Sequence, residues 1–237
     1  MPGRRRRVAG AVLCAVVGSS LIVGAGAVTW LERRAEARPP SAAAVYRTAG
    51  SLWRSTPVDT LFPRVLEGRG AGPGGAARTW TRVALAPDAD CSAALPADWQ
   101  AQLAATGCTR VLRATYTDAT RSSLVTVGLV FTPADATAMT ALRGHLPVPQ
   151  GYGFADPQRA AWTASVVPEA PVVVYAVSAF ADGRTVSRPR TAEEAMKKED
   201  TGPVAQAGLG HEAKAVADRI ERSLRALAAP PAGEPAR

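Results

Sequence analysis

The chain has 237 residues, 47% of them hydrophobic and 20% charged, and carries a formal charge of +8. Seven of its 28 Lys and Arg and two of its 20 Asp and Glu precede Pro39, which leaves 21 against 18, a net of +3, beyond it. So small an excess excludes an electrostatic footprint for a nucleic-acid backbone, and the ~190 residues that carry it are enough for one domain with a sizeable core.

The first stretch sets the address. Arg4–Arg7 form a basic block, residues 8–31 follow without one charged side chain, and Glu32-Arg33-Arg34 closes the run. Those 24 residues exceed the roughly 20 that a helix needs to cross the hydrocarbon core. The expectation is a transmembrane helix over 8–31, with Trp30 and Arg33-Arg34 as its interfacial ending. The tight basic block places residues 1–7 in the cytoplasm as a short tail, and the remainder outside the plasma membrane. A cleaved secretory signal is the other reading, with Ala25-Gly26-Ala27 as the cleavage site and Val28 as the mature N-terminus. Within the span, Gly10, Cys14 and Gly18 stand four residues apart beside Ala11, Ala15 and Ser19. Small side chains let helices approach closely in lipid, so this face is expected to pack against a partner helix or a second copy.

Arginine outnumbers lysine 25 to 3 and alanine abounds, so alanine-rich stretches weigh little as helix signals. Residues 32–76 read as a juxtamembrane helix, over 41–54, and a linker. Pro57 and Pro63 interrupt that linker, and a glycine loop at 68–75 ends it. Gly70, Gly72 and Gly75 match GxGxxG, but no strand before and no helix after are read there, so the motif predicts no dinucleotide site.

From residue 77 to 228 the pattern is that of a folded domain. A strand over 79–86 sets Trp80 against Thr81, Val83 and Leu85. A helix over 96–107 follows, with Trp99 and Leu103 on one face. Strands over 108–117 and 123–131 form the clearest hairpin. Thr132-Pro133-Ala134-Asp135 then opens a helix with Ala136, Met139 and Leu142 inward. A loop over 145–158 carries Tyr152 and Phe154, a possible ligand or partner loop or simply a cover for the core edge. Strands follow over 161–167 and 172–180, the second apolar on both faces and so central in a sheet. Thr191 and Glu194 make a capping box, and Leu209, Ala213, Val216, Ile220, Leu224 and Leu227 stripe a long helix over 203–228. Residues 229–237 are expected to be a disordered tail.

The predicted class is α+β: one antiparallel-dominated sheet in a ferredoxin-like βαββαβ order, extended by a further strand and the C-terminal helix, which packs on a sheet face. With Cys14 in the anchor, Cys91 and Cys108 are left as the pair for one disulfide in an exported domain.

Chemical motifs are sparse. His145 and His211 are the two histidines, no GxSxG or HExxH occurs, and Ser178 lacks flanking glycines. Neither cysteine has a second pair or a nearby histidine to complete a metal site, so no metal, cofactor or catalytic residue is expected. The run 107–118, the strand 124–131 and the alanine-rich helix after them resemble uncharacterised single-pass membrane proteins of actinobacteria. More loosely, they are similar to the extracytoplasmic sensor domains of receptor-type bacterial serine/threonine kinases. That resemblance implies a ligand- or partner-binding fold. The expectation is a non-enzymatic envelope module that touches the bilayer, a membrane or envelope protein or a second copy, and no nucleic acid; an envelope hydrolase is the alternative.

Overall fold

Two valine-rich runs of nine residues, 123–131 and 172–180, set the centre of the fold. In the computed structural model, which describes Trp30 and residues 40–229, they form the middle strands of a seven-stranded sheet. The expected cytoplasmic tail 1–7, the apolar span 8–31 apart from Trp30, with its Gly10, Cys14 and Gly18, and the tail from 230 onward lie outside the described residues. Among the described residues, no helix is long and apolar enough to cross a membrane. One folded unit begins at Ala42.

The strands are β1 (Val65–Gly68), β2 (Arg78–Leu85), β3 (Arg110–Asp118), β4 (Ser123–Phe131), β5 (Ala161–Val166), β6 (Val172–Phe180) and β7 (Arg190–Thr191). Their order is β1-β2-β3-β4-β6-β5-β7, antiparallel throughout except for the short β5–β7 pair. Every residue of β6 is buried, as its apolar sequence on both faces predicts.

The helices are α1 (Ala42–Ala49), α2 (Leu52–Ser55), α3 (Val58–Leu61), α4 (Cys91–Ala94), α5 (Ala97–Gln102), α6 (Ala136–Thr140), α7 (Ala192–Ala195), α8 (Pro203–Gln206) and α9 (Leu209–Ala228). Because side chains alternate across a strand, β4 sends Val125, Val127, Leu129 and Phe131 to one face and Val130 to the other. The first face meets α9 through Ala213, Val216, Ile220 and Leu224, with Trp80, Tyr116 and Val174 in the same cluster. Burial of such side chains contributes roughly 1.5–3 kcal/mol each. On the opposite face α4, α5 and α6 place Trp99, Leu103, Met139 and Leu142 over Val111, Val173 and Tyr175. Helices therefore cover both faces of the sheet rather than one.

Five expectations need correction. The ferredoxin-like order holds for one half only. Parallel β4 and β5 do flank β6, but β2 and β3, on either side of α4 and α5, are direct antiparallel neighbours. Only short helices separate β2 from β3 in the chain, and the two strands pair directly with no strand inserted between them. Residues 42–76 are not a linker. Ala49, Leu61, Phe62 and Leu66 are core residues, and β1 is the edge strand of the sheet. Arg82 ties this segment down by donating to the Phe62 carbonyl and, at 2.6 Å, to Asp59. The helix expected over 41–54 breaks at Gly50, where a Cβ would press on Pro171. That over 203–228 breaks at Gly208, whose φ of 70° belongs to the left-handed region open to glycine. Finally, Asp135, not Thr132, caps α6, so Ala136 faces solvent while Met139 and Leu142 are buried.

Candidate binding cleft

The glycine loop between β1 and β2 lies against the first half of α9, and a cleft of about 480 Å³ opens between them. Its position follows from two backbone devices. Gly70, Gly74 and Gly75 adopt positive φ, which lets residues 69–77 curl back to the sheet edge. Gly208, at the start of α9, comes close enough to the loop that a Cβ there would sit 3.0 Å from Pro73 Cγ.

Beneath the loop, β2 and α9 are joined by a buried polar group. Glu212 is 3% exposed, accepts a hydrogen bond from the Trp80 indole N–H and stands 3.3 Å from Arg78 Nε. Burial raises the Glu212 pKa, against the pull of Trp80 and Arg78, and the nearby Asp118 carboxylate adds to the rise. The neighbouring His211 lines the cleft itself. Burial lowers its pKa, the Arg78 guanidinium lowers it further, and a backbone contact with Ala71 opposes both. Both the burial and Arg78 thus favour the uncharged imidazole.

The walls are otherwise cationic. Arg69 comes from the loop and Lys214, Arg219 and Arg222 from α9, against one carboxylate, Asp218. Lys214 is held by Asp218 at 2.7 Å, the i,i+4 spacing of a helical ion pair. Met196, at the end of α7, closes the cleft on one side. The glycines whose GxGxxG pattern predicts no dinucleotide site form the opposite wall. A strand, β1, does precede them, but a 3-10 turn at Pro73–Gly75 and then β2 follow, so there is no helix N-terminus to hold a pyrophosphate.

The other candidate residues go elsewhere. Cys91 and Cys108 are joined in a disulfide with Cα atoms 6.1 Å apart. Tyr152 and Phe154 lie over the sheet face opposite α9. There the Thr115 and Thr126 hydroxyls donate to the Tyr152 carbonyl, and Arg113 stands 5.5 Å above the Tyr152 ring. Phe154 folds onto Gly151, and both aromatics are half-buried, so the loop covers the sheet. His145 is exposed on that side. Ser178 is buried, and its hydroxyl lies within hydrogen-bond distance of the carbonyls of Ala161 and Leu209. Asp88 and Asp90 face Arg110, and Glu194 serves the Thr191 capping box.

Sequence reasoning missed the cleft because its cations lie on segments 150 residues apart. One signal was present: Arg219 and Arg222 share the solvent side of a strongly striped helix. No protein-family model, curated protein or solved structure matches this chain.

Proposed function

We propose that the chain is a membrane-anchored, extracytoplasmic binding or assembly module of the bacterial cell envelope, non-enzymatic, and that the cationic cleft is where it engages an anionic ligand or partner. The observation that carries this reading is the pairing of two parts in one chain. An uncharged run of 24 residues flanked by arginines is followed, after residues 32–41, by a folded unit beginning at Ala42. The Cys91–Cys108 disulfide supports an oxidising compartment, since such bonds persist outside the cytoplasm. The cleft supports binding: its charge comes from side chains on two elements that the fold brings together.

Two measurements on cells test it. Protease added to spheroplasts should digest the domain while leaving the N-terminal segment in the membrane fraction, and the intact mass should retain residues 1–27. A protected domain, or a mature chain starting at Val28, overturns the anchored topology. Crosslinking in native membranes should capture a partner or a second copy. If Gly10→Leu with Gly18→Leu leaves the crosslinks unchanged, the small-residue face of the span has no part in assembly.

A further inference from the structure

Three arginines around the cleft are unused. Among the described residues, Arg78 pairs with Glu212 and Lys214 with Asp218, whereas Arg69, Arg219 and Arg222 make no ion pair. Unpaired guanidinium groups are ordinary on open surfaces. Here they come from two elements and line one concavity whose volume, about 480 Å³, falls within the range of small-molecule sites.

The donor set narrows the ligand. A guanidinium presents a planar fork of N–H groups that matches two oxygens of a phosphate at once, and it stays charged at any physiological pH. Three such forks and a lysine, with one carboxylate among them, exceed what a single carboxylate ligand would neutralise. The loop wall adds a backbone with little in the way: at Gly70, Gly74 and Gly75 a Cβ would meet nothing within 4 Å, so that side is open to an approaching group. His211 adds an imidazole that lines the same cleft and can donate or accept a hydrogen bond.

We propose that this cleft binds a phosphate-bearing ligand, a phosphomonoester or phosphodiester attached to a larger group, with Arg69, Arg219 and Arg222 as its ligating cations. The proposal rests on the binding-module reading. The same phosphate chemistry has two sources here, the headgroup of an anionic phospholipid and a water-soluble phosphate compound.

The test uses the full chain in nanodiscs of phosphatidylcholine, with inorganic pyrophosphate as the probe and sodium chloride matching ionic strength. Ligand binding to the folded state raises the melting temperature of the domain by mass action. Pyrophosphate should raise it, and Arg69→Gln with Arg219→Gln and Arg222→Gln should weaken the apparent affinity by about tenfold or more. All three side chains lie at the protein surface, and Arg121→Gln with Arg188→Gln serves as a control that should keep the wild-type response. A parallel set of nanodiscs contains equal parts phosphatidylcholine and phosphatidylglycerol. If the lipid headgroup is the occupant, these discs raise the melting temperature alone and pyrophosphate adds little. If the occupant is water-soluble, they leave the pyrophosphate response unchanged. No shift at matched ionic strength, or an equal shift in the triple variant, overturns the phosphate assignment. Crosslinking in native membranes separates this from the broader reading. Captured partners without a pyrophosphate shift leave the module standing and overturn the phosphate site, whereas a shift that the triple variant loses, with no captured partner, upholds the site and overturns assembly with a protein partner.

Discussion

Trp80 on β2 and Glu212 on α9, 132 residues apart in the chain, are joined inside the core by a hydrogen bond from the indole N–H to the carboxylate. Trp80 is fully buried, and Arg78, two residues earlier on the same face of β2, reaches the other carboxylate oxygen. The helix is thus fixed to the outer part of the sheet by a polar latch within an otherwise apolar face. The latch joins α9 to β2, the strand into which the glycine loop leads.

Substitutions at Glu212 should separate its charge from its hydrogen bond. Glu212→Ala leaves the Trp80 N–H and the Arg78 guanidinium without their acceptor and should cost about 3 kcal/mol. Glu212→Gln keeps an acceptor and removes the buried charge. Because the folded-state pKa is raised above the ordinary 4.5, wild type loses stability as pH rises from about 4.5 through the folded value. The melting temperature of Glu212→Gln relative to wild type, read in matched buffers, should therefore improve as pH rises from about 4 to about 7. A relative decline over that window would show that the carboxylate is favoured by its surroundings.

Asp118 gives the opposite sign. Its burial favours the neutral acid, but hydrogen bonds from Thr120, the Ser123 backbone and the hydroxyls of Ser122 and Ser123 outweigh that and hold the pKa at about 2. These bonds close the turn between β3 and β4, where Arg121 adopts a φ of 56°. With an unfolded value near 3.8, the stabilisation is complete above about pH 4 and is lost as pH falls toward 2. Chemical denaturation of Asp118→Asn should show a deficit against wild type that is largest above pH 4 and shrinks toward pH 2. A deficit independent of pH would assign the effect to shape alone.

Gly128 on β4 pairs with Tyr175 on β6, and the tyrosine ring lies where a Cβ at 128 would stand. On its other side Tyr175 meets Trp99, with ring centroids 5.3 Å apart. Gly128→Val should displace the ring and cost about 1–3 kcal/mol through overpacking. Adding Tyr175→Leu should recover part of that loss, because the two positions share one volume. Strict additivity in the double-mutant cycle would mean that the ring does not occupy that space.

The disulfide encloses α4 and α5 and so holds Trp99 against the sheet. A cross-link spanning 17 residues should contribute about 3 kcal/mol, chiefly by restricting the unfolded chain. Cys91→Ser with Cys108→Ser should lower the melting temperature by several degrees, read by calorimetry in parallel with reduced wild type. Equal melting temperatures in oxidised and fully reduced protein would remove the stabilising role.

What was legible in the sequence is local. The β3–β4 hairpin, the fully apolar β6, the Thr191–Glu194 capping box, the α9 stripe and the cysteine pair each declare themselves through periodicity, cap chemistry or count over a short window. The α+β class follows from their order. Strand neighbours do not, because pairing is chosen by long-range burial: β6 inserts between β4 and β5, and the four-residue β1, read as linker, is recruited to the edge. Nor does the cleft. Nothing along the chain marks Glu212, and only when Trp80 and Arg78 fold beneath it is its carboxylate taken out of water. Arg69 reads as a loop residue until the glycines turn it toward Arg219 and Arg222. A side chain's propensity is written in its neighbours along the chain, whereas its charge state and partners are set by whichever distant groups share its dielectric environment, and those are supplied by the tertiary structure alone.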